Sequence, residues 1–238
     1  MSANVLLVGV GGIGHPCALA LATREDIRLT LLDDDRVERT NLHRLLAFDE
    51  QHVGRTKAEA LADHVERSLG ARRPEVIVDR ASPDTVADLV DRADVVVEGS
   101  DNFATKFLMA DACALANKRS VHGAAVGWTG TVLSVVPSKS ACYRCVFEDV
   151  PDGEAVDCAT AGVFAAVTSM IGAVMASHVR WMLRPDAEQE AKLSHFDATT
   201  GMFRHRTMKR RPDCALCREA RVITAIDASR YSAPLCSH

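Results

Sequence analysis

No single sign of charge dominates this 238-residue chain. Its 28 Lys and Arg residues face 32 Asp and Glu, for a formal net charge of −4. That balance excludes nucleic-acid binding driven by bulk charge. Disorder and collagen-like fibre are excluded too, because 47% of the residues are hydrophobic and 25% charged, as in ordinary globular proteins. There is no internal repeat, low-complexity run or clear linker. One domain over residues 1–217 is therefore expected, followed by a weakly ordered tail, 218–238. The opening MSANVLLVGVGGIG has neither a basic n-region nor a small-residue cleavage site, so it does not read as a secretory signal. A cytoplasmic location is the expectation.

One stretch, Cys158 to Val179, lacks any formally charged residue and is about as long as a membrane span. It also lacks leucine, and small residues make up about half of it. That composition fits a close-packed core or subunit-interface helix, expected from about Thr160 to Met182, and no membrane contact.

There are eight cysteines, four of them in two Cys-x-x-Cys pairs, Cys142/Cys145 and Cys214/Cys217. A two-residue spacing lets a tight turn aim both thiolates at one tetrahedral centre. Two such pairs far apart in sequence point to structural zinc. The competing reading, a redox-active pair, needs a thioredoxin-like setting and explains only one of the two. Cys17 and Cys113 read as helix packing, and Cys236 falls in the tail.

The first 125 residues alternate strand and helix. Strands are expected at Val5–Val10, Arg28–Leu32, Glu75–Val78, Asp94–Glu98 and Ser120–Ala125. Helices are expected from Gly12 to Arg24, from Arg55 to Leu69, from Ser82-Pro83 onward, and from Asn102 to Asn117. This repetition means a Rossmann-like α/β fold, a mostly parallel sheet with helices on both faces. After Gly127 the pattern changes to antiparallel strands, at Thr129–Val136 and in a hairpin formed by Lys192–Phe196 and Met202–Thr207.

Gly9-Val10-Gly11-Gly12-Ile13-Gly14 fits Gly-x-Gly-x-x-Gly between a strand and a helix, where it lets phosphate approach a helix N-terminus. Asp33 closes the second strand and is placed to accept ribose hydroxyls. These two features alone say only that a nucleotide binds, with NAD as the default. The connection that follows, however, carries Asp35, Asn41, Arg44 and Lys57. Two cations and an amide donor suit a triphosphate better than a dinucleotide.

LLDDDRVERTNLHR (31–44), GRTKAEA (54–60), the Ser100-Asp101-Asn102 turn and the paired cysteines together resemble the ThiF/MoeB/HesA group. These are prokaryotic members of the ubiquitin-activating-enzyme-like superfamily, and the resemblance runs from about Val5 to Cys217. It implies an adenylyltransferase that joins ATP to the C-terminal glycine carboxylate of a small ubiquitin-fold sulfur carrier ending in Gly-Gly. Carried over, Gly9, Gly11, Gly12 and Gly14 form the nucleotide loop and Asp33 holds the ribose. Asp35 and the run Thr40, Asn41, Leu42, His43 and Arg44 line the phosphates with Lys57. Asp101, with Asn102 beside it, binds Mg²⁺. Arg44, Lys57 and Asp101 are the implied catalytic residues. Cys158 resembles the cysteine that in some members links covalently to the carrier.

The resemblance also implies a two-fold homodimer, and a separate sulfurtransferase or cysteine desulfurase, since no rhodanese domain follows. The family's N-terminal helical segment, whose arginine reaches the partner's ATP, does not precede the first strand, so that cation is expected to be missing or supplied from elsewhere. His43 stands where the family usually has Gln. A nicotinamide-dependent oxidoreductase shares the glycine loop and Asp33 but leaves Arg44, Lys57 and the cysteines unexplained. A non-catalytic zinc-stabilised member stays open as a second alternative.

Overall fold

A computed structural model describes residues 2–137, 140–150, 162–184 and 190–231. Its centre is one eight-stranded sheet in the order β3-β2-β1-β4-β5-β6-β7-β8. The strands are β1 (Ala3–Val8), β2 (Ile27–Leu32), β3 (Glu75–Ile77), β4 (Val95–Glu98), β5 (Arg119–Val126), β6 (Thr129–Val135), β7 (Ala191–Asp197) and β8 (Met202–Met208). The first five are parallel and the last three join antiparallel. The expected fold class and hairpin are both present.

Alternation along β1 explains the layering. Val5 and Leu7 feed a core beneath α1 (Gly14–Ala22), α2 (Lys57–Leu69) and α6 (Ala165–Met182). Leu6 and Val8 feed the opposite core, beneath α3 (Val86–Asp91), α4 (Phe103–Leu115) and α5 (Tyr143–Phe147). Apolar residues on both faces are what a buried parallel strand requires.

Several boundaries differ from the sequence reading. The helix expected at Ser82 starts at Val86, because Ser82 and Thr85 spend their hydroxyls on each other at 3.0 Å instead of capping it. The small-residue helix starts at Ala165. Thr160 lies outside the described residues, and Gly162–Phe164 is engaged with Gly127 through two backbone hydrogen bonds of 3.0 Å. Past Cys217 the chain packs back onto the body through Ile223 and Tyr231. Both side chains are buried in the α4 core, and that burial outweighs the polar composition around them.

Glycine explains why α6 sits so close. A Cβ at Gly172 would lie 2.4 Å from the Ile13 carbonyl oxygen, and one at Gly130 would lie 2.3 Å from Ile171 Cγ1. The helix thus buries Val167, Ile171, Met175 and Val179 against α1, β5 and β6. Ala166, Met170, Ala173, Ser177 and Arg180 remain exposed on its far side. Among the described residues, no helix is long and apolar enough to cross a membrane.

Candidate nucleotide site and cysteine cluster

A cleft of about 540 Å³ opens at the C-terminal ends of β1, β2 and β4. Strand order reverses between β1 and β4, and crevices of this kind are where open α/β sheets take ligands. Gly9, Gly11, Gly12, Asp33, Asp35, Thr40, Asn41, His43, Arg44, Lys57, Asp101 and Asn102 all line it. A second cavity, about 460 Å³ near Arg28 and Arg92, takes none of the expected site residues.

The glycines divide the work. Gly9 has φ +82°, and a Cβ there would meet the Ser100 nitrogen at 2.8 Å. Gly11 faces open space within the cleft, while Gly12 lies under the aliphatic stem of Arg44, whose Cδ would be 3.0 Å from a Cβ. Gly14 opens α1 and does not line the cleft. Its missing Cβ makes room for the Gly9 carbonyl, 1.8 Å from where that atom would be. Leu42 does not line it either and packs on the α1 core as an apolar side chain should.

Asp33 is buried, and both of its carboxylate oxygens already hold backbone. Oδ2 accepts from Val10 N–H at 2.6 Å and Oδ1 from Asp35 N–H at 2.9 Å. Burial pushes its pKa up, and the Val10 amide opposes that shift. The adjoining 3₁₀ turn, Arg39–Arg44, is a chain of side-chain contacts. Arg44 donates to Asn41 Oδ1, Asn41 donates to Glu38 Oε2 at 3.2 Å, and Thr40 donates to the same oxygen at 3.2 Å. His43 Nδ1 sits 2.9 Å from the Thr40 carbonyl. Lys57 is 8% exposed and its ammonium lies 2.7 Å from Asp35 Oδ2. Asn102 caps α4 by accepting from Thr105 N–H at 2.7 Å. Asp101 is exposed just before it.

Sequence reading gave no site role to Glu38, Ser100 or Lys106, which also line the cleft. For Lys106 the signal was the lone Glu98 ending an all-valine strand, since a buried acid needs a cation nearby.

The four cysteines come together behind α4. Their Sγ atoms all lie within 4.8 Å of one another. Individual separations are 3.8 Å for Cys142–Cys145, 3.5 Å for Cys142–Cys214 and 3.3 Å for Cys145–Cys217. Four thiolates about 2.3 Å from one tetrahedral ion would be roughly 3.8 Å apart, so the cluster fits a metal of that size. Hydrogen bonds from neighbouring thiols, Cys142 first, pull Cys217 down to about 5. Arg211 N–H points at Cys145 Sγ at 3.4 Å. Such donors hold a metal-binding sulfur in place. Cys158 lies outside the described residues.

The ThiF family model matches residues 1–216. The adenylyltransferase and sulfurtransferase MOCS3 of Sus scrofa is 37% identical over 230 residues, which is 94% of this chain and 50% of that protein. The SAMP-activating enzyme E1 of Haloferax volcanii is 36% identical over 224 residues, 93% of this chain and 83% of that one. The chain thus spans about half the length of the MOCS3 relatives it matches. Among solved structures, E. coli MccB superposes with a TM-score of 0.77 at 24% identity, covering 92% of this chain and 66% of that one. At that identity the likeness speaks for the fold. By the extent of these matches, the chain belongs to the ThiF family.

Proposed function

We propose that this chain is an ATP-dependent adenylyltransferase that activates the C-terminal glycine carboxylate of a small ubiquitin-fold sulfur carrier. The observation that carries this reading is the meeting of Arg44, Lys57 and Asp101 with the glycine loop in one cleft. Relatives support it by name: an adenylyltransferase in one case and an E1 activating enzyme in another.

In the proposed reaction, an oxygen of the carrier's terminal carboxylate attacks the α-phosphorus of ATP. That bond forms, the bond to the bridging β-phosphate oxygen breaks, and pyrophosphate leaves with the electron pair. The nucleophile is already an anion at neutral pH, so no general base is needed. The obstacle is the approach of two anions, which cations and alignment overcome. Gly11 and Gly12 leave room for the nucleotide, and Asp33 is assigned to the ribose. Asn41, Arg44 and Lys57 are assigned to the phosphates.

Asp101 is assigned to Mg²⁺, with Asn102 beside it. Its carboxylate is exposed and without an ion-pair partner among the described residues, which suits a hard cation that takes one or two carboxylates. Magnesium supplies charge neutralisation on the phosphates when bound.

Cys142, Cys145, Cys214 and Cys217 are proposed to hold one structural Zn²⁺. Cys158 is assigned a covalent link with the carrier, and sulfur would come from a sulfurtransferase or cysteine desulfurase. The exposed stripe of α6 supports a two-fold homodimer with that helix near the axis, and the cytoplasm is the proposed location.

Carrier-dependent exchange of labelled pyrophosphate into ATP, with magnesium present, tests the reading. Asp101→Ala is expected to abolish exchange and spare the fold, because an exposed, unpaired side chain contributes within about 0.5 kcal/mol to stability. No exchange across a panel of Gly-Gly carriers, together with tight NAD binding, would overturn the assignment.

A further inference from the structure

The Asp101 carboxylate has no hydrogen bond or ion pair among the described residues, so its position is set by the backbone on either side of it. On the C-terminal side that backbone is held by the Asn102 cap of α4. On the N-terminal side lies Ser100, and both of its donors go to one buried acid. Glu98 Oε1 accepts from Ser100 N–H at 2.8 Å and from the Ser100 hydroxyl. The Ser100 peptide also packs directly against Gly9, where a Cβ would stand 2.8 Å from its nitrogen. Ser100 is therefore the joint between the glycine loop and the Asp101 carboxylate.

Glu98 is fully buried at the end of Val95-Val96-Val97. A buried carboxylate persists only when it is paired and hydrogen-bonded. Its other oxygen, Oε2, accepts from Lys106 Nζ at 2.8 Å, and Lys106 is itself only 5% exposed. The same ammonium donates to the Gly123 carbonyl of β5 at 2.7 Å. Lys106 therefore ties α4, β4 and β5 to one carboxylate, two residues before the joint. The His122 ring closes the far side, with Nδ1 4.0 Å from Oε2 and Nε2 2.8 Å from Ser120 Oγ.

Both oxygens of Glu98 are thus aimed at donors: two from Ser100 and one from Lys106. A glutamine of the same shape cannot satisfy that arrangement. Whichever way its amide turns, the NH₂ meets either the Ser100 N–H or the Lys106 ammonium, donor against donor. The site demands two acceptors, and only a carboxylate provides them.

We propose that Glu98 and Lys106 are positioning residues for the nucleotide site, acting through Ser100 to place Asp101 for a divalent cation bound with the triphosphate. The inference rests on the adenylation reading of the cleft. It assigns to Glu98 an effect on the metal-dependent part of nucleotide binding, separate from its effect on folding. Loss of a partner that orients a metal ligand costs about 10- to 100-fold in metal affinity.

The test is calorimetric titration of the full chain with ATP, with and without Mg²⁺, together with melting temperature, for wild type and three variants. Glu98→Gln is expected to weaken the Mg²⁺-dependent component about tenfold while metal-free ATP affinity stays within about twofold. Ser100→Ala, which removes one hydrogen bond and no charge, is expected to shift the same component in the same direction by less.

In the double variant Glu98→Gln/Lys106→Met the glutamine oxygen can turn to Ser100 with no ammonium opposite its NH₂. Recovery of most of the Mg²⁺-dependent component is expected, with a melting temperature still below wild type. A purely structural pair would lower the melting temperature and leave the Mg²⁺ dependence unchanged in all three variants, or weaken metal-free and metal-dependent binding in equal proportion. Either result would overturn the proposal. If wild type itself binds ATP without any Mg²⁺ dependence, the adenylation reading fails first and takes this one with it.

Discussion

The Val10 amide donates to Asp33 Oδ2 at 2.6 Å across the gap between the first two strand ends. One carboxylate thereby holds the glycine loop, and its second oxygen holds the Asp35 amide at 2.9 Å.

Asp33→Asn is expected to damage both ends of that bridge. Its NH₂ must face one of two backbone donors, leaving a buried N–H unsatisfied at about 1–3 kcal/mol. Nucleotide affinity should fall about tenfold or more, because the loop loses its anchor. Urea unfolding and ATP titration on the same sample check both parts. An unchanged unfolding midpoint would contradict the bridging role.

For the cysteine cluster, one equivalent of zinc per chain is expected by elemental analysis of purified protein. Cys142→Ser should lower zinc content and melting temperature together, since binding energy at such a site is folding energy. Chelation of the wild type should do the same. A metal-free chain of full stability would remove zinc from the account.

The buried Arg144–Asp111 pair makes a third test. Arg144 binds both Asp111 oxygens, at 2.8 and 2.9 Å, and Tyr231 donates to Oδ2 at 2.8 Å from the far end of the chain. Asp111→Ala should cost about 3 kcal/mol, because it strips the buried guanidinium of its buried partner and leaves it only the Glu148 carbonyl and the exposed Asp149 carboxylate. Tyr231→Phe should cost only about 0.5–1.5 kcal/mol, the worth of one hydrogen bond, with the ring still packed. Equal losses from the two would show that the Tyr231 hydrogen bond, and not the ion pair, carries the contribution of Asp111.

Acid sensitivity follows from buried histidines. Burial pulls His15 and His122 each down to about 3, and His178 to about 4. The unfolded chain protonates these side chains near pH 6.5. Between that value and the folded values the unfolded state binds more protons, so stability falls as pH drops. It is fully present above about pH 6.5, with a limit of roughly 1.4 kcal/mol per pH unit for each histidine below it. His15 Nε2 now accepts from the Ala47 amide at 3.1 Å, and His15→Gln keeps an acceptor for it. Unfolding midpoints of that variant between pH 7 and 5 should then fall less steeply than in wild type.

Much of the site was legible because it is written in local pattern. A strand, a glycine turn and a helix announce Gly9–Gly14, and an acid at the next strand end announces Asp33. The cysteine cluster was legible from spacing alone. Leu42 and Gly14 belong to the motif but not to the cleft lining: one packs against the core and the other makes room for the Gly9 carbonyl. Lys106, by contrast, was hidden. Its position on α4 looks like an ordinary surface lysine, and only the three-dimensional turn from β4 brings it onto Glu98. The start of α3 was misplaced because Ser82-Pro83 satisfies the rules for a helix entry while its hydroxyl is claimed by Thr85.

One strand has a bearing on how the chain behaves in bulk. Among the described residues β8 is paired on one side only, to β7, and Met202 through Thr207 are exposed along it. Such an open border is a template on which another chain can extend the sheet. Here the border carries Met202 and Phe203, which invite that addition, beside Arg204 and Arg206, which repel a second copy of themselves. Those two guanidinium groups act as colloidal guards. Exchanging them for valine would leave the cleft untouched and raise the tendency of the solution to grow cloudy with concentration.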